Sequence, residues 1–155
     1  MIQLGIKLSM FILSWLSVFL LPNKKQVFIK YLPVTLFSSM TLLGEIFFFT
    51  TYKLWSVKGK QKEMMHMALL LVFGPYLVLN IWSFYLSKGK FLSYALINVV
   101  ADFIYAFPVI SFFKKINLFK IKVKSHYFFL LVFCDSLLNY VFHKTFEKIY
   151  KPNNI

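Results

Sequence analysis

The stretch FLSYALINVVADFIYAFPVISFF, residues 91–113, is apolar along its length yet carries Asp102 near its centre. It exceeds the roughly 20 residues that cross a bilayer as a helix. A charged side chain at bilayer depth costs roughly 2.5–3.5 kcal/mol on insertion scales, so an acid in that position needs a reason. Tyr94, Asn98, Asp102 and Tyr105 recur at helical spacing and share one face. Lipid rejects such a stripe. The segment therefore predicts a transmembrane helix whose polar face meets other helices.

Working outward, four more apolar runs stand at about residues 4–21, 34–54, 64–87 and 127–142. Two of them repeat the pattern of a lone central acid, Glu45 in the second and Asp135 in the last, with no Lys at the same depth. The first run carries only Lys7 before it and is followed by Leu21-Pro22-Asn23-Lys24-Lys25 rather than a small-residue cleavage site, so a retained helix is expected instead of a signal peptide. Pro33 is expected to start the second helix, where its missing N–H is harmless. Trp55 and Lys53 mark its far interface. Gly74-Pro75 should kink the third helix and Pro108 should bend the fourth one turn after Asp102. The last run is short for a span and has to carry Asp135 and Asn139, so a re-entrant or interfacial helix is the alternative there. Between the fourth and fifth runs, Lys120-Ile121-Lys122-Val123-Lys124 alternates like a strand. An isolated strand is unstable, which favours a basic segment lying at the interface.

The expected fold is an all-α polytopic membrane bundle of about five transmembrane helices, forming one domain over residues 1–155. Composition agrees. The chain is 59% hydrophobic, with 20 Phe, and its mean hydropathy is +0.69, whereas soluble domains run nearer 45–50% apolar. The net charge of +13 comes from Lys alone, since there is no Arg. Loop lysines at the surface of an anionic membrane account for it, at about 1 kcal/mol each. Without a basic face on a soluble fold, nucleic acid is not a partner, and the lack of Arg argues against a built phosphate site. A single cysteine, Cys134, excludes an intramolecular disulfide and a cysteine zinc cluster. With five spans, ten lysines fall on the side of the N-terminus and eight on the other, and the two densest loops are on the first side. That balance places the N-terminus in the cytoplasm.

The polar residues expected to face one another are Glu45, Asn80, Asn98, Asp102, Tyr105, Asp135 and Asn139. Ser38, Thr41, Glu45 and Tyr52 share a side of the second helix, His66 and Asn80 lie close around the axis of the third, and Asp135, Asn139 and His143 step along the fifth. Such groups act as interhelical glue at about 0.6 kcal/mol each, or they line a cation or proton path. The leading expectation is a non-enzymatic, partner-binding or assembly component, in contact with the bilayer and with a membrane-protein partner or a second copy. The alternative is a small cation- or proton-coupled transporter or channel subunit. No cofactor, metal site or catalytic residue is expected: His66, His126 and His143 are scattered and read as interface residues, and there is no H-E-x-x-H element, Gly-rich phosphate loop or Ser nucleophile elbow.

Val99-Val100-Ala101-Asp102-Phe103 and Cys134-Asp135-Ser136 resemble segments of lipoprotein signal peptidase, which implies an intramembrane aspartyl hydrolase with Asp102 and Asp135 as its dyad. That family's Asn-x-x-Asp-Arg element is absent, so this stands as a minor alternative. Lys30 through Ser38, Phe73-Gly74-Pro75-Tyr76 through Trp82, and Asn98 through Pro108 resemble a group of small multipass proteins of endospore-forming bacteria. This resemblance implies topology and a bacterial cytoplasmic membrane, and no activity.

Overall fold

The computed structural model describes residues 2–57 and 61–150, so Lys58, Lys60 and Lys151 of the charge balance lie outside the described residues. Five helices dominate: α1 (Ile2–Val18), α2 (Lys24–Thr51), α3 (Lys62–Ser87), α4 (Phe91–Lys115) and α5 (Ser125–Tyr150). A short strand, β1 (Trp55–Val57), follows α2, and another, β2 (Phe119–Ile121), follows α4. The chain is an all-α bundle, and α2 to α5 are each long and apolar enough to cross a membrane.

The short helix is the first and not the last. α1 has 17 residues, about 25 Å at 1.5 Å per residue, against a hydrocarbon core of about 30 Å. The last run, expected to be marginal over 127–142, is part of a 26-residue helix. Exposed Lys144, Thr145 and Lys148 continue α5 past the apolar window as a solvated surface. α2 likewise starts at Lys24, ten residues before the expected 34, and Pro33 lies inside it rather than at its start. A proline is tolerated within a membrane helix where neighbours and hydroxyl side chains stabilise the local backbone. Beside this one, Thr35 donates to the carbonyl of Leu32 at 3.0 Å.

α2, α3, α4 and α5 form a ring in which each packs on the next and α5 closes back on α2. α1 lies outside the ring against α3. Lys7 and Met10 line a crevice with Met67, Leu70 and Leu71, while Leu21 packs on Leu77 and Ile81, so α1 runs parallel to α3. The five helices therefore alternate in direction, and the described termini lie at opposite ends of the bundle.

Lys120-Ile121 belongs to a paired strand and not to a free basic segment. β1 and β2 are antiparallel, with Trp55 opposite Ile121, Ser56 opposite Lys120 and Val57 opposite Phe119. The ribbon joins the two densest lysine loops at one end of the bundle. Its inner face, Trp55, Val57 and Ile121, caps a cluster with Met67, Ala68, Ala106, Ile110, Phe113, Phe128 and Val132. The ring is thus filled by apolar side chains over its ribbon half.

Both expected breaks are present, each as a wide π-type turn: Val72–Tyr76 in α3 and Tyr105–Val109 in α4. Gly74 has φ −104° and ψ −106°, outside the helical range. The carbonyl of Phe73 accepts from the indole Nε1 of Trp15 at 2.9 Å, so α1 satisfies a backbone group at the break.

Candidate functional site: the polar interior of the ring

Opposite the ribbon, the interior turns polar. α5 supplies most of it because Asp135 or its neighbour Ser136, then Asn139, His143 and Glu147, recur every three to four residues and face into the ring or along its seam with α2. Three groups of contacts follow from that placement.

In the first, the carboxyls of Glu45 on α2 and Asp135 on α5 stand against each other across the α2–α5 seam, each side chain half-buried. In the second, Ser136 on α5 donates toward Asp102 Oδ2 at 3.1 Å and Asn98 Oδ1 at 3.4 Å on α4, and toward the carbonyl of Val132 at 3.2 Å. Asn98 itself donates back to the carbonyl of Tyr94 at 2.8 Å. In the third, Asn139 donates to Ser38 on α2 at 2.8 Å, and Ser38 to the hydroxyl of Tyr76 on α3 at 2.9 Å. Tyr76 comes from the π-type turn, so the helix break aims this ring hydroxyl inward.

Five of the seven expected residues are brought together: Glu45, Asn98, Asp102, Asp135 and Asn139. Asn80 is buried, but its amide donates to the carbonyl of Tyr76 in its own helix at 3.0 Å. Tyr105 packs its ring on Phe128 at 5.8 Å, against the apolar cluster of the ribbon half, and has no hydrogen bond to Asp102. Tyr52 and His66, also placed on stripes, are exposed. Asp102 finds its partner across the bundle in Ser136. A serine in an apolar run gave no reason to single out Ser136, and its only signal was adjacency to Asp135.

His143 stands near the end of the bundle but is not exposed there. It is 2% exposed and wedged between the rings of Tyr31 at 5.3 Å and Phe84 at 4.8 Å. Its Nε2 lies 3.5 Å from Glu147 Oε1 without the alignment of a hydrogen bond. Glu147 in turn meets Lys144 at 3.0 Å and Lys30 of α2 at 3.6 Å, at the end of the bundle opposite the ribbon. His66 and His126 are exposed, as expected. Among the described residues no group of three His, Cys, Asp or Glu side chains is placed to hold a metal ion.

Comparison with protein-family models, with curated proteins and with solved structures finds no match to this chain. The functional argument therefore rests on the geometry of the ring.

Proposed function

We propose that this multipass membrane protein is a non-enzymatic component that works by assembling with a partner in the membrane, at the α2–α5 seam. The observation that carries this is the half-buried Glu45–Asp135 pair in that seam. Acids at membrane depth are satisfied by one another or by a basic or donor group, and this pair keeps part of its surface outward. Meanwhile the apolar ribbon half, from Trp55 to Val132, closes the ring against a solute. The membrane we assign is a bacterial cytoplasmic membrane, with the lysine-rich ribbon and the N-terminus inside, on the three stretches similar to endospore-former proteins and on the lysine balance.

Photo-crosslinking side chains at Phe48 and Leu138 test the proposal. Both are exposed, and each is one turn from an acid of the pair. Positions Leu79 on α3 and Val100 on α4, also exposed, are the controls. Adducts are expected from the first two positions only, lost with Glu45→Ala. An adduct of twice the chain's mass identifies a second copy. Equal adducts from all four positions, or none, would overturn the seam as an assembly surface.

A proton-coupled subunit is the second reading, favoured by the meeting of Glu45 with Asp135 across the seam. Proteoliposomes that collapse an imposed proton gradient, and fail to with Glu45→Gln, would select it.

A further inference from the structure

We infer that the acids of the ring exchange protons with one side of the membrane only, through a column that runs along α5 from Glu147 past His143 and Asn139. This goes beyond assembly and holds whether or not a partner is bound.

Three observations carry it. The first is alignment: Glu147, His143, Asn139 and Asp135 are each one helical turn apart on one helix, so they stack from the bundle end to mid-depth. Glu147 is 21% exposed and meets solvent, while His143 at 2% and Asn139 at 1% lie inside.

The second is that two atoms of the column lack partners: Asn139 Oδ1 and His143 Nε2 are buried with no hydrogen bond. Orphaned polar atoms inside a protein are rare and mark a place for an ordered water or an ion. Side chains at i and i+4 have Cβ atoms about 5–6 Å apart, a span that one water bridges. Such a water donates to Asn139 Oδ1 and exchanges a proton with His143 Nε2.

The third is closure of the other half. Below Asp102 and Asp135 the ring is packed with Val132, Phe128, Ala106, Ile110, Met67 and Phe113.

A proton then moves from bulk water to Glu147, from Glu147 Oε1 to His143 Nε2, and on through water to the Glu45–Asp135 carboxyls, each group releasing one proton as it takes the next. The charged and titratable groups around His143 are Glu147 and Lys144 on α5 and Lys30 and Tyr31 on α2; α3 presents the ring of Phe84. Around the acid pair stand Asp102 of α4 and Tyr76 of α3.

The experiment uses the full chain in proteoliposomes, sorted for orientation by a protease-cleavable C-terminal tag. A hydrophobic carbodiimide modifies protonated carboxyls, and mass spectrometry of Glu45 and Asp135 reads the rate. With the two compartments held at different pH, modification should follow the pH on the C-terminal side, by up to about tenfold per pH unit, and ignore the ribbon side. His143→Gln keeps a hydrogen-bonding side chain but cannot take up and release a proton, so it should lose this response at unchanged thermal stability in detergent. His143→Phe should lose it likewise. Modification that follows the ribbon side, both sides equally or neither would overturn the inference, as would an unaltered response in either variant. Protection by sodium or potassium ions at fixed pH would overturn it too, by showing that the column admits a cation.

Discussion

At Gly74 the absence of a side chain sets how near two helices come. A Cβ built there would lie 2.9 Å from Phe11 Cδ2 and 3.3 Å from Phe11 Cα, and the second atom is backbone of α1 and cannot rotate away. Gly74→Ala is expected to cost about 1–3 kcal/mol through overpacking, measured as thermal unfolding in detergent. Gly44→Ala, where nothing lies within 4 Å, is the control and should be neutral. Equal stability of the two variants would mean that α1 does not dock as described. The same scale decides what Asp102 does. Its oxygen accepts from Ser136, so Asp102→Asn should keep most of the stability, while Asp102→Leu should lose about 0.5–2 kcal/mol. Should Leu be tolerated as well as Asn, the contact with Ser136 contributes nothing. The stripe through Asp102 was legible in the sequence because helical spacing fixes which residues share a face. Which helix that face meets was not, since spacing along one helix says nothing of its neighbour.

Among the elements, α3 shows how a membrane helix tolerates a break. The turn at Val72–Tyr76 widens the backbone, and Trp15 of α1 donates to the carbonyl of Phe73. Trp15→Phe keeps the ring and removes the donor, leaving that carbonyl in an apolar seam. About 1–3 kcal/mol should be lost, and protease cleavage in the segment joining α1 to α2 should quicken; an unchanged unfolding temperature would count against the strap. The break itself was legible from Gly74-Pro75, because proline lacks the donor a helix needs. The ribbon was not. The alternation around Lys120 was visible, but its partner Trp55–Val57 lies more than sixty residues earlier and alternates over only three residues. Helix ends are not legible for a related reason. An apolar window ends where hydropathy ends, whereas α2 and α5 run on through lysines in the headgroup layer. With Cys134→Ser as background, Ser56→Cys and Lys120→Cys face each other in register and should form a disulfide on mild oxidation. Ser56→Cys with Lys88→Cys, at opposite ends, should not. Failure of the first pair to cross-link would remove the ribbon.

For the whole molecule, the alternating directions of five helices put residues 2 and 150 at opposite ends of the bundle. Four long spans alone would return them to one face, so the crossing of α1, the shortest helix, is what separates the two topologies. Its parallel course along α3, from the level of Met67 to that of Ile81, covers 14 residues of that helix, about 21 Å. That is most of the hydrocarbon thickness of about 30 Å, and Lys7 at one end with Lys24 at the other can reach the headgroups by extending their stems. Reporter fusions before residue 2 and after residue 150 should therefore report opposite compartments, the first of them cytoplasmic. The lysine balance makes the orientation sensitive. Among the described residues the ribbon side leads by only eight lysines to seven, so replacing Lys114, Lys115, Lys122 and Lys124 by Gln reverses the excess. The four-lysine variant should insert in both orientations or invert, while Lys24, Lys25, Lys88 and Lys90 replaced by Gln should hold the original one more firmly. Two fusions reporting the same compartment in the unaltered chain would mean that α1 lies at the surface. The ring of α2 to α5 would then be the whole of the membrane domain.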